Sequence, residues 1–160
     1  MADFEPAVLA LAERLRARGW SLAAAESCTG GLIAAACTSV AGSSDWFERG
    51  FVTYSNQAKT ELLGVPAALI AAHGAVSEEV ARAMVQGALA HAPVQLAVAV
   101  TGIAGPGGAV PGKPVGTVWL GWGTAAGVHA QRLQLEGDRA AVRSATVTAA
   151  LQQLVQAARA

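Results

Sequence analysis

AAAESCTGGLIAAAC, residues Ala23–Cys37, joins three kinds of chain in fifteen positions. Small apolar residues run into the charged Glu26. The hydroxyl and thiol side chains of Ser27, Cys28 and Thr29 follow, then Gly30 and Gly31, then a second apolar run. This reads as a short buried strand, a tight turn and a helix. A strand that feeds a helix through a glycine turn is the repeating unit of α/β folds. The turn itself admits more than one reading. Ser27 or Thr29 can cap the helix by accepting from its free amides. The helix start can equally offer those amides, and the positive end of its dipole, to a phosphate or an oxyanion.

Working outward, Phe4–Arg18 has the apolar spacing of an amphipathic helix ending at Gly19. Trp20–Ala25 is predicted as the buried strand and Gly30–Val40 as the helix, with Ala41–Trp46 a loop. Gly50–Tyr54 is rich in β-branched and aromatic residues and reads as a strand. Ser55 or Asn56 caps a short helix stopped at Gly64, and Pro66–Ala72 is another helical turn or two. Ser77 caps a longer helix through Ala92, and Gln95–Val100 is an apolar strand. Thr101–Pro114 is a Gly/Pro loop. Val115–Trp122 and Val128–Leu135 form a hairpin, and Asp138 caps a helix running almost to Ala160. The predicted order is α-β-α-β-α-α-β-β-β-α. It describes a single domain over residues 1–160, a three-layer α/β/α fold with a mixed sheet of about five strands.

Composition fits that fold. Of 160 residues, 53% are hydrophobic and 14% charged, which supports a sizeable core and argues against disorder. Eleven basic and eleven acidic residues cancel, which argues against a nucleic-acid partner. The acidic start lacks the basic region of a signal peptide, and no apolar run is long enough to predict a membrane span. Cys28 and Cys37, nine residues apart, are expected to stay reduced, on opposite faces if one helix holds both. Together these features predict a cytoplasmic protein without membrane contact. Its low charge favours a homo-oligomer, with a dimer as the expectation.

The loop TGIAGPGGAVPGKPVGT, residues 101–117, invites nucleotide-loop readings that fail on context. Gly107–Lys113 matches G-x-x-x-x-G-K, but Pro114 stands where a magnesium-binding hydroxyl belongs, and a strand follows rather than a helix. A dinucleotide fingerprint fails at Val110. Thr101 and Gly102 do leave the end of a buried strand, where α/β folds place their sites. A serine nucleophile at Ser27 needs a base. Lys59 lies in the first turn of its helix, where the dipole and burial both lower an amine's pKa. Tyr54, five residues earlier, is placed to relay or orient the proton; both side chains can also be plain surface groups. Arg139 and Arg143, one turn apart, can clamp a phosphate or carboxylate or simply face solvent. Glu26, in an apolar setting, needs a partner, either Lys59 or a loop amide.

AESCTGG, YSNQAKTELLGV, HGAVSEEVARAM, AVTGIAGPGG, KPVGTV and GDRAAVR occur in the order found in the CinA C-terminal domain family. The chain resembles that family from about residue 5 to 158. The resemblance implies a metal-independent, cofactor-free amidase that converts nicotinamide mononucleotide to nicotinate mononucleotide and ammonia, in pyridine-nucleotide recycling. It implies catalysis by Ser27, Lys59 and Tyr54. Substrate contacts are implied at Thr29, Gly30, Gly31, Thr101, Gly102 and Arg143. Ala109, Val110 and Pro111 are a local variation on the pattern. Two alternatives stay open. One is a Cys28 thiolate amidase with a base drawn from His73, His91 and His129. The other is a nucleotide-binding or interaction domain without turnover.

Overall fold

The computed structural model describes residues 1–159. Five strands form one sheet in the order β2-β1-β3-β4-β5: β1 (Leu22–Glu26), β2 (Phe47–Val52), β3 (Leu96–Gly102), β4 (Thr117–Thr124) and β5 (Gly127–Gln134). β1 runs parallel to β2 and β3, whereas β4 is antiparallel to β3 and β5. The expected mixed sheet is therefore present. β1 is buried along its whole length, and β3 is buried from Leu96 to Thr101. Strands covered on both faces need no polar alternation, which explains their unbroken apolar runs.

The two faces carry different side chains. Leu22, Ala24, Leu96, Val98, Val100 and Leu120 join the core beneath α1 (Glu5–Arg18), α2 (Leu32–Thr38) and α6 (Arg139–Ala157). Ala23, Ala25, Ala97 and Ala99 face the core of α3 (Asn56–Leu63), α4 (Ala67–His73) and α5 (Glu78–His91). Helices α3 and α5 meet closely at Gly87, where an added Cβ would lie 2.0 Å from the Leu63 carbonyl oxygen. Among the described residues, no helix is long and apolar enough to cross a membrane.

The structure corrects several boundaries. The helical turns expected at Pro66–Ala72 form a separate helix, α4, which begins after Pro66 as its N-cap and ends at His73, so three helices rather than two lie between β2 and β3. β1 begins two residues later than expected and takes in Glu26. Gly19 adopts the left-handed conformation, and Trp20 lies under the Arg18 guanidinium before the strand starts. α2 starts at Leu32, because Gly30 and Gly31 have φ of 58° and 107° and cannot belong to a right-handed helix. β2 covers Phe47–Val52, since its register is set by pairing along β1 from Leu22↔Phe47 to Glu26↔Val52. β3 extends through Gly102, and the hairpin strands lie one or two residues from their expected ends, around the turn Ala125–Ala126. The expected end of the last helix at Ala160 lies outside the described residues.

Candidate active site

The site forms where β1 and β3 end side by side. The Ser27 amide donates to the Val100 carbonyl at 3.0 Å, the last rung between the two strands. Beyond it the chain arches through Ser27–Gly31 and enters α2. The Gly30 amide donates to the Ser27 carbonyl at 3.0 Å, which closes the arch. Arg143 on α6 donates to the carbonyls of Cys28 and Thr29 at 3.2 and 3.0 Å and holds its outer side.

Lys59 reaches this arch from the opposite layer. Ser55 caps α3 by accepting from the Ala58 amide, so Lys59 falls in the first turn, as expected. Its side chain is only 2% exposed. Nζ donates to Ser27 Oγ at 3.0 Å and to the Thr53 carbonyl at 3.1 Å. Thr53 is held in turn by its amide, which donates to the Glu26 carbonyl at 2.8 Å. Burial lowers the Lys59 pKa from its ordinary 10.5, with the neighbouring Cys28 acting in the opposite direction. A buried amine beside a hydroxyl is the pairing that activates a serine.

Ser27, Cys28, Tyr54, Gly102 and Arg139 line a cavity of about 240 Å³, together with the loop around Ile103–Gly108. A second cavity of about 690 Å³ adjoins it, sharing Ala104 and Arg139 and adding Pro106, Val115, Asp138 and Arg143. Arg139 stands at the junction. It donates to the Gly105 carbonyl at 3.0 Å and to the Tyr54 hydroxyl at 2.7 Å.

Cys28 and Gly102 bring backbone amides to the wall of the smaller cavity. Ile103 and its carbonyl pair with β4, through Ile103 N to the Thr117 carbonyl and Gly116 N to the Ile103 carbonyl. Strand alternation therefore turns the Gly102 amide the other way, past the end of β1 towards Ser27. Among the described residues, the Gly102 amide has no acceptor outside the strand ladders, and the Cys28 amide has none beyond its own thiol sulfur.

The expected residues separate into groups. Ser27 and Lys59 come together. Gly102 lines the cavity with them, and a Cβ there would lie 2.6 Å from Val118 Cγ2. Tyr54 lies at the cavity wall, 59% exposed, with its hydroxyl on Arg139 rather than on Ser27 or Lys59. Gly30 and Gly31 shape the arch. Thr29 is fully buried and its hydroxyl donates to Glu26 Oε1 at 2.5 Å. Thr101 is buried and donates to the Ala75 carbonyl at 2.9 Å, tying β3 to the turn before α5. Arg143 spends Nε and Nη2 on the arch.

The expected helix cap at Ser27 or Thr29 is replaced by Glu26. Its carboxylate also accepts from the amides of Ile33 and Ala34 at 2.8 and 3.0 Å, so its partners are the Thr29 hydroxyl and amides of α2, not Lys59. Cys28 lies before α2 rather than within it, and both cysteines are free and buried. Burial pushes the Cys28 thiol up to about 11, so it stays protonated at neutral pH and is a poor nucleophile. Arg139 and the Gly105–Gly108 loop are cavity residues that the sequence placed near no particular partner. The signal available was the position of Arg139 immediately after the Asp138 cap, on the same helix face as Arg143.

Residues 5–158 match the family model described as the CinA C-terminal domain. The chain is 57% identical to the nicotinamide-nucleotide amidohydrolase PncC of Pseudomonas putida, over 91% of each chain. It is 52% identical to the protein of that name from Escherichia coli K12, over 90% of this chain and 88% of the relative. A CinA-like protein of Citrifermentans bemidjiense is 58% identical over 88% of this chain, which spans only 34% of that longer relative. Among solved structures, competence/damage inducible protein CihA from Agrobacterium tumefaciens superposes with a TM-score of 0.94 at 43% identity, covering 98% of this chain and 96% of that one. With a family match along nearly its whole length and these identities, the chain belongs to the CinA C-terminal domain family.

Proposed function

We propose that this protein is a nicotinamide-nucleotide amidase that hydrolyses the carboxamide of nicotinamide mononucleotide through a Ser27 acyl-enzyme. The observation that carries the mechanism is the buried Lys59 amine 3.0 Å from Ser27 Oγ. The substrate is supported by the PncC relatives.

In its neutral form Lys59 keeps an N–H on the Thr53 carbonyl and turns its lone pair to Ser27. The same contact then runs from the Ser27 hydroxyl to Nζ. Ser27 Oγ attacks the carboxamide carbon, and its proton passes to Lys59. The carbonyl oxygen becomes an oxyanion, with the amides of Cys28 and Gly102 as its donors. Protonated Lys59 returns the proton to the leaving nitrogen, and ammonia departs. Water, deprotonated by the same amine, then cleaves the ester to nicotinate mononucleotide and frees Ser27. In this reading the nicotinamide ring occupies the smaller cavity, beside Ser27. The ribose phosphate extends past Arg139 towards the larger one, where Arg139 and the remaining edge of Arg143 supply positive charge. Tyr54, held by Arg139, walls the ring side of the site rather than relaying the proton.

Ammonia release from nicotinamide mononucleotide tests the proposal. Ser27→Ala and Lys59→Ala are expected to lose at least about 10³-fold in kcat/KM while retaining the fold. Cys28→Ala is expected to stay within about tenfold of the parent protein, a loss too small for a missing nucleophile. A folded Ser27→Ala with substantial turnover refutes the nucleophile assignment. Saturable binding without turnover by the parent protein would support the binding-module reading instead.

A further inference from the structure

The Glu26 side chain takes no part in the steps above, yet it is 1% exposed and sits one residue before Ser27. A carboxylate is retained in such a place only when its oxygens are fully paired. Three donors pair it: the Thr29 hydroxyl and the Ile33 amide on Oε1, and the Ala34 amide on Oε2. They come from the middle of the arch and from the first turn of α2, so one side chain ties the strand end, the arch and the helix together.

We propose that Glu26, through the Thr29 hydroxyl, is a positioning residue for amide hydrolysis, holding the Ser27–Gly31 arch in the shape that turns the Cys28 amide towards the attacked carbonyl. The proposal rests on the reading of Ser27 as the nucleophile. Two further features carry it. First, the opening amides of a helix are an anion site. Glu26 caps those amides from within, so the substrate's developing charge is left to the amides of Cys28 and Gly102 at the cavity wall. Second, the arch is clamped from both sides. Arg143 draws the Cys28 and Thr29 carbonyls outward, and Glu26 draws the Thr29 side chain inward. With both clamps set, the peptides flanking Cys28 have little rotational freedom. The Glu26 carbonyl also holds the Thr53 amide, and Thr53 holds Lys59, so nucleophile and base are referenced to the same residue.

Thr29→Val keeps the shape of the side chain and removes its donor. Glu26→Gln keeps one acceptor oxygen but turns an NH₂ towards an amide N–H. Each is expected to lower kcat about 10- to 100-fold, at or below the loss seen when an oxyanion donor is removed outright. KM for nicotinamide mononucleotide is expected to stay within about threefold, since the clamp acts on transition-state contacts. Thr29→Ser, which restores the hydroxyl, should recover most of kcat. The labelling rate of Ser27 by a fluorophosphonate, read by mass spectrometry, should fall in step with kcat. A folded Thr29→Val with parental kcat and labelling rate overturns the proposal, as does a loss that Thr29→Ser fails to recover. If Ser27 of the parent is labelled but nicotinamide mononucleotide is not turned over, the substrate reading falls. The labelling rates of the variants then decide the clamp alone. A parent protein that neither turns over nor labels removes Ser27 as nucleophile, and the proposal with it.

Discussion

At the scale of the residue, Lys59 is where sequence and structure agree most closely. Its place in the first turn of a helix marked it as electrostatically unusual, and the structure adds burial and a hydroxyl at 3.0 Å. A pH dependence follows. Only the neutral amine accepts the Ser27 proton, so kcat/KM rises with pH along a limb whose midpoint lies below 10.5, because burial lowers the Lys59 pKa. Stability has the same sign. The unfolded chain holds this proton more tightly, so the cost of burying the charge is full at low pH. It is relieved as pH rises through the lowered value towards 10.5. A pH profile of ammonia release checks the limb. A profile that falls with pH over that range would contradict a lysine base. Glu26 was legible as a problem but not as an answer. Its acceptors serve amides seven and eight residues onward, and only the left-handed arch at Gly30 and Gly31 brings those amides back beneath the strand end. Thr29 is not the expected helix cap for the same reason, since the arch turns its hydroxyl inward onto Glu26. Tyr54 was expected to relay or orient the proton, and the structure puts its hydroxyl on Arg139 at the cavity wall. Its partner, Arg139, is 85 residues away in sequence, and spacing gives no sign of it.

At the scale of the element, helices with capping residues were readable because their signals are local. Ser55, Ser77 and Asp138 each accept from the amide three residues on, and α3, α5 and α6 begin after them. Strand ends were less readable. β2 lies at the sheet edge with most of its residues exposed or half-buried, so its limits follow from pairing with β1 rather than from its own composition. Helix packing carries the catalytic geometry further than propensity shows. Gly87 on α5 lets the Leu63 carbonyl of α3 approach, and α3 carries Lys59. Gly87→Ala is expected to destabilise the fold by about 1–3 kcal/mol through overpacking. It should also lower kcat beyond what the unfolded fraction explains, since any shift of α3 carries Lys59 with it. Urea unfolding alongside ammonia release separates the two effects. An unchanged kcat in the folded variant would show that Lys59 tolerates movement of its helix.

At the scale of the whole molecule, the class of fold was legible because two buried strands announce a covered sheet. The change of strand direction between β3 and β4 was legible from the hairpin that follows. The pairing of cavities across Arg139 was not, because it depends on α6 returning over the ends of β1 and β3. That arrangement places the chemistry on the sheet's interior. Ser27 follows β1 and Gly102 ends β3, whereas β2 and β5 are the edges. Amide hydrogen exchange should therefore be graded across the sheet, slowest in β1 and β3 and fastest in β5, which is largely exposed or half-buried. Exchange in β1 as fast as in β5 would refute that grading. The grading has a consequence for how the protein fails. Fraying of β5 is a local event that leaves the paired ends of β1 and β3 intact, and the catalyst continues to work through it. Losing the Ser27 amide's bond to Val100 requires the central strands to part. Inactivation by heat or denaturant is then expected to track the global opening of the molecule, with no earlier, partial loss of activity.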